Sequence, residues 1–211
     1  LTTMNHEYEM TYNVKTELKN VPKDVLLTEP LPKEIEVVLR DKGDKLVEYK
    51  ARGKMKILAL DYRQHSHTMG RTAIHGTELE KLLSAKLASS TQIVSINPDT
   101  LKYYAANAHG VKLPVRLKGE IKADRQHAIE RIEFSPDSVT VYASRQITDT
   151  MTAVYTPHVR YTELDDSVKQ RLALESKEWG VHYSPSEVTL NVAVSPYVNK
   201  SVQVPVSGYL F

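Results

Sequence analysis

Four times along the chain the same pattern returns: a residue, a proline, two polar residues, then apolar positions at every second place. Leu31-Pro32-Lys33-Glu34 leads into Ile35, Val37 and Leu39, and Asn97-Pro98-Asp99-Thr100 leads into Leu101, Tyr103 and Ala105. Ser135-Pro136-Asp137-Ser138 leads into Val139, Val141 and Ala143, and Ser184-Pro185-Ser186-Glu187 into Val188, Leu190, Val192 and Val194. A proline presets φ for the second position of a type I turn, and neighbouring Asp, Ser or Asn favours such turns. The alternation has the period of a strand with one buried face. Each copy therefore predicts a turn followed by a strand, with Ile35, Val37, Val139, Val141, Val188 and Leu190 facing inward.

The copies pair by position. Pro136 lies 104 residues after Pro32, and Pro185 lies 87 residues after Pro98. An extended opening phrase at Tyr12–Thr16 returns at Lys112–Leu117, and the Gln203–Tyr209 stretch resembles both. The expected organisation is a leader over residues 1–11, one repeat over 12–111, a second over 112–202, and the start of a third over 203–211. Further strands are expected at Lys54–Leu60 and Val168–Leu174. A helix is expected from Thr77 to about Leu87, with Thr77 as N-cap, Glu80 as its capping-box partner, and Leu79, Leu82, Leu83 and Leu87 on one face. A weaker helical pattern runs from Gln146 to about Val154, where Ile147, Met151 and Val154 recur among threonines. The fold class is mainly β with a few short helices, as two tandem repeats in an elongated arrangement.

Composition narrows the chemistry. The 211 residues carry 28 Lys and Arg against 26 Asp and Glu, a net charge of +2. A dedicated nucleic-acid binder usually carries a larger basic excess. There are no cysteines, which excludes disulfides, thiolate catalysis and Cys-ligated metals. No run of ~20 apolar residues suited to spanning a bilayer is present. The glycine-rich phosphate loop, the dinucleotide fingerprint, the Gly-X-Ser-X-Gly elbow and His-Glu-X-X-His are all missing.

Several groupings remain to be weighed. His65, His67 and His75 fall within a polar segment, Tyr62–Gly76, that reads as a loop; His-X-His on a strand would put two imidazoles on one face as metal ligands. Asp165-Asp166 suits either a cation or a turn between strands. Lys50, Arg52, Lys54 and Lys56 alternate as they would on one strand face, serving an anionic partner or a charged edge that resists aggregation. Twelve tyrosines outnumber two phenylalanines and one tryptophan; Tyr103-Tyr104, on opposite faces of a strand, would leave one ring exposed. Asn199-Lys200-Ser201 has the form of a glycosylation sequon. None of these is assigned as a catalytic, cofactor-binding or metal residue, and no cofactor is expected.

The phrases together resemble a known family. Ile132-Glu133-Phe134-Ser135-Pro136-Asp137-Ser138-Val139-Thr140-Val141, then Ile147-Thr148, Val154-Tyr155-Thr156, Tyr161-Thr162-Glu163-Leu164 and Ser184–Val192, are similar to YbbR-like domain proteins, the diadenylate cyclase regulator family. Asn5–Glu9 and Asn20–Asp24 resemble the start of the soluble part of Bacteroidetes-type members. The resemblance implies a mostly β fold with crossed strands, several domains in tandem outside the cytoplasm, and an N-terminal membrane helix lying before this stretch of chain. It implies a non-enzymatic interaction or regulatory module on the periplasmic face of the inner membrane. The implied partner is a protein, either a membrane diadenylate cyclase or envelope machinery. Two other functions compete: an enzyme acting on envelope carbohydrate or peptide through the carboxylates or the His cluster, and an RNA-binding module by fold analogy.

Overall fold

Alternating apolar residues do form strands here, and most of the chain is spent on them. A computed structural model describes residues 6–197. In chain order the first elements are β1 (Glu7–Lys19), β2 (Val25–Glu29), β3 (Glu34–Lys42), α1 (Gly43–Ala51), β4 (Ile57–Asp61), α2 (Tyr62–His65), β5 (Gly70–Ile74), α3 (Gly76–Ser84), β6 (Gln92–Asn97) and β7 (Leu101–Asn107). There follow β8 (Val111–Ala123), β9 (His127–Ser135), β10 (Ser138–Tyr142), α4 (Arg145–Thr148), β11 (Val154–Leu164), β12 (Val168–Ala173), β13 (His182–Ser184) and β14 (Glu187–Pro196).

Two compact units divide the chain. The first takes residues up to Val111 together with Thr140–Met151 and Ser176–Tyr183. The second takes Lys112–Val139, Thr152–Glu175 and the described residues from Ser184 onward. Two short segments of the later half thus group with the first unit.

The strand orders correspond one for one. One four-stranded sheet runs β4-β1-β3-β6 and the other β11-β8-β10-β13. The three-stranded sheets run β2-β7-β5 and β12-β14-β9. Adding seven to each strand number of the first set gives the second. β3 after Pro32 corresponds to β10 after Pro136, and β7 after Pro98 to β14 after Pro185. β1 has an antiparallel neighbour, β3, on one side and a parallel one, β4, on the other, and β8 likewise has a parallel neighbour in β11.

In the first unit, β3 turns Ile35, Val37 and Leu39 inward, each at most 1% exposed, as the alternation predicts. They meet Leu46 and Tyr49 of α1, Leu58 and Leu60 of β4, and Leu79 and Leu83 of α3 in one cluster. Each such side chain contributes about 1.5–3 kcal/mol by leaving water. In the second unit Val139, Leu172, Val188, Leu190 and Val192 are buried in the same alternating way.

Several local expectations are corrected. The bonds before Pro98, Pro136 and Pro185 are cis, not the trans bonds of the expected type I turn. Helix α3 starts two residues early, with His75 in place of Thr77 as N-cap and its carbonyl accepting from the amides of Glu78 and Leu79; the Thr77–Glu80 capping box does not form. The Gln146–Val154 helix is reduced to the single turn of α4, which ends at Thr148, and Val154 belongs to β11. Tyr62–Gly76 is no loop: it supplies α2 and strand β5, which pairs with β7. The strand expected from Lys54 begins only at Ile57, and α1 precedes it. Residues 203–211, with the expected third repeat, and Asn199 lie outside the described residues.

Candidate functional site

The sequence-nominated groups come to rest in structural places. His65 ends α2, and its Nδ1 lies 3.2 Å from Glu78 Oε1 with the ring almost wholly buried. His67 follows in an irregular segment and His75 caps α3. The strand face that would have aligned His65 and His67 does not exist. Among the described residues no three His, Asp or Glu side chains are grouped to hold a metal ion.

Asp165 and Asp166 join β11 to β12. Asp166 Oδ1 accepts from the Ser167 amide at 2.7 Å, and Ser167 Oγ accepts from the Val194 amide at 2.9 Å. The pair belongs to a turn tied to β14, which is the ordinary use of Asp in such a place.

Tyr103 and Tyr104 are both buried, at 0% and 2% exposure, so neither ring is displayed. β7 is the middle strand of its sheet, and both its faces are covered. Tyr103 hydrogen-bonds Ser66 Oγ and its ring lies 6.1 Å from that of Tyr62. Tyr104 Oη accepts from the Ser144 amide at 3.1 Å, with the Trp179 ring edge-on at 6.3 Å.

The four cations part company too. Lys50 lies in the last turn of α1, Arg52 is its C-cap, and Lys54 and Lys56 sit in the turn before β4. A helix and a turn have replaced the expected strand, so the cations share no strand face.

What sequence reasoning did not single out is a groove in the second unit. Pro114–Leu117 of β8, Ile132–Phe134 of β9 and Tyr155 of β11 enclose a volume of about 850 Å³. Tyr155 is 58% exposed and Ile132 41%. Arg116, Glu133 and Asp137 supply charge at its rim. Strand geometry explains the display: Val154 and Thr156 point inward, so the intervening Tyr155 must point out. An exposed tyrosine and isoleucine ringed by charge has the composition of a protein-contact surface. The only sequence signal available was Tyr155 falling between two inward positions.

At the other end of β8 and β9, a turn is held by hydrogen bonds. Asp124 Oδ1 lies 2.6 Å from His127 Nδ1 and also accepts from the Gln126 amide. The hydrogen bond with His127 holds the Asp124 carboxyl below its ordinary value. These residues order the connection between β8 and β9.

Comparison with known proteins bears on this unit. Residues 113–192 match the family described as YbbR-like protein. No curated protein matches the chain. Among solved structures, a YbbR-like protein from Streptococcus pneumoniae TIGR4 is 13% identical, with a TM-score of 0.40 over 91% of this chain and 97% of that one. The solution structure of SuR18C from Streptococcus thermophilus is 19% identical, with a TM-score of 0.36 over 44% of this chain and 91% of that one. The stretch 113–192 is YbbR-like, and the groove around Tyr155 lies inside it.

Proposed function

We propose that this chain, YbbR-like over residues 113–192, is a non-enzymatic interaction module that works through protein contact from the extracytoplasmic face of a membrane. Its partner in this reading is a membrane diadenylate cyclase or a component of the envelope machinery. The first half is a second YbbR-like repeat, a reading supported by its identical strand order. The observation that carries the proposal is the displayed Tyr155 and Ile132 within the family-matched stretch. Large apolar side-chain surfaces left in water beside charged groups contribute binding energy only when a partner covers them.

The test uses the full-length protein co-expressed with the diadenylate cyclase of the same genome. Cyclic di-AMP is measured, and a photo-crosslinking residue is placed at position 155. A crosslink to the cyclase, and a nucleotide level that returns to baseline with Tyr155→Asp plus Ile132→Asp, are the expected results. A nucleotide level indifferent to the protein, with crosslinks to other envelope proteins only, moves the function to envelope machinery. Crosslinks to no protein at all overturn the interaction reading.

A further inference from the structure

β1 has an edge that its counterpart β8 does not have. Both strands contain 13 residues, and both end against the last residue of a parallel neighbour, Lys19 on Asp61 and Ala123 on Leu164. The two can therefore be aligned from their ends. β11 runs beside β8 from Val115 to Ala123. β4 runs beside β1 only from Lys15 to Lys19. The places on β1 that correspond to the first part of the β8–β11 pairing, Thr11 to Val14, have no strand on that side among the described residues.

The backbone there points outward. The Lys15 amide donates to Lys56 O on the β4 side, whereas the Thr16 amide donates to Lys33 O on the β3 side. Groups alternate sides along a strand, so the N–H and C=O of Thr11 and Asn13 face the open side with Lys15. A groove of about 690 Å³ adjoins them. Its inner wall is apolar: Tyr12, Tyr49 and Met55, each at most 6% exposed. Its rim is cationic. Lys15, Lys50 and Lys56 line it and are exposed, none has an ion pair among the described residues, and no Asp or Glu lines it. Glu9 and Glu17 flank this stretch at alternate positions of β1 and Glu34 of β3 lies opposite Lys15; Glu9 is engaged by Arg40, and none of the three lines the groove.

We propose that this edge of β1 is a strand-addition site for an acidic, extended peptide segment of a partner protein. The segment lies parallel to β1, in the place that the first half of β11 takes beside β8. Its backbone pairs with Thr11 and Asn13, an inward apolar residue enters the Tyr12–Tyr49–Met55 wall, and its carboxylates meet Lys15, Lys50 and Lys56. Main-chain bonds supply affinity in such an arrangement, and the pocket and charges supply selectivity. The site lies in the first unit and stands or falls independently of the groove around Tyr155.

The experiment titrates the whole chain with a fluorescent, end-capped peptide, Glu-Val-Glu-Phe-Glu-Val-Glu. Two control peptides accompany it, one with every Glu replaced by Lys and one with alternate backbone nitrogens methylated. The acidic peptide is expected to bind at least about tenfold more tightly than either control and to weaken as salt is raised. Hydrogen exchange at Thr11 and Asn13 is expected to slow on binding. Two variants read the two parts of the site. Lys15→Glu with Lys50→Glu and Lys56→Glu reverses the rim, and is expected to abolish the preference for the acidic peptide. Thr11→Pro removes an amide that points away from β3, so the β1–β3 ladder is kept while strand addition is blocked. Equal binding of the acidic and basic peptides, or tight binding with no protection at Thr11 and Asn13, overturns the proposal. So does protection of these amides by protein concentration alone with a matching dimer in sedimentation, since the occupant is then a second copy.

Discussion

β1 and β8 are equally long central strands with the same neighbours in the same order, yet they are finished differently. Beside β8 the chain sends an 11-residue strand, β11; beside β1 it sends a five-residue strand, β4. The residues saved are spent before the strand. Where the second half has the single turn α4, the first half has the nine-residue α1 and a turn ending at Lys56. Helix α1 buries Leu46 and Tyr49 on the inner side of the sheet, which a longer β4 would not have done. Exchanging strand for helix thus thickens the core and leaves a stretch of β1 with outward backbone groups. The same topology can be closed by its own strand or left open beside a basic rim.

The largest difference between the two strands is expected at Gly119. It has φ of +124°, and a Cβ there would fall 1.9 Å from Val159 O of β11. Gly119→Val cannot relieve that clash without parting β8 from β11. The expected loss is about 3 kcal/mol or more, read as loss of amide protection confined to β8 and β11. At the aligned place in β1, Lys15→Ala has no such neighbour and is expected to change stability by less than about 0.5 kcal/mol.

Next comes Asp41 at the end of β3, which is 3% exposed. Its burial raises the carboxyl pKa, but hydrogen bonds from Thr91 Oγ1, the Lys42 amide and Ser90 Oγ outweigh it and hold the group below its ordinary 3.8. Asp41→Asn is expected to cost about 1–3 kcal/mol at neutral pH. A lowered pKa stabilises the fold above the ordinary carboxylate range, and that stability drains away as pH falls through the lowered value. The gap between wild type and variant in urea melts should therefore narrow only below 3.8. A gap that is constant down through that range refutes the assignment.

Thr156 sharpens the second unit. The β8–β11 register slips between Tyr155 and His158, and there the Lys118 amide donates to Thr156 Oγ1 at 3.0 Å. Thr156→Val keeps the shape and strands that amide. The expected cost is about 1–2 kcal/mol, with faster exchange at Lys118 and no change in β1. Faster exchange in both strands would mean that the halves do not respond separately.

The smallest effect concerns the wall of the β1 groove. Tyr12 Oη donates to Leu46 O at 2.6 Å, and burial, aided by Tyr49, pushes its pKa up to about 12. Tyr12→Phe is expected to cost about 1 kcal/mol. A raised pKa means the contribution is whole below the ordinary 10 and is lost as pH climbs through about 12. Absorbance titration should show one tyrosinate fewer forming at the alkaline extreme in the variant.

The four Pro-led phrases were legible because each encodes its strand locally: alternation dictates which side chains face inward, and Ile35, Val37, Val139, Val141, Val188 and Leu190 are all buried. The place of Asp165-Asp166 in a turn was legible for the same reason. Helix α1 was not. Only Leu46 and Tyr49 mark its buried face, and alternating lysines beyond it imitate a strand. Tyr155 gave little sign of itself, since an exposed tyrosine and a buried one look alike until the neighbouring strands are placed.

Side-chain period and proline-led turns act over a few residues, so the sequence was enough to mark the chain as β-rich and to place the strands that follow its proline-led phrases. Tertiary structure alone decided the rest. It put Tyr103 and Tyr104 under cover on both faces of a middle strand. It separated His65, held by Glu78, from any metal-binding strand face. It gave β8 a long parallel partner and β1 a short one. Each of these depends on which segments, distant in sequence, compete for the same sheet edge, and residue spacing carries no record of that competition.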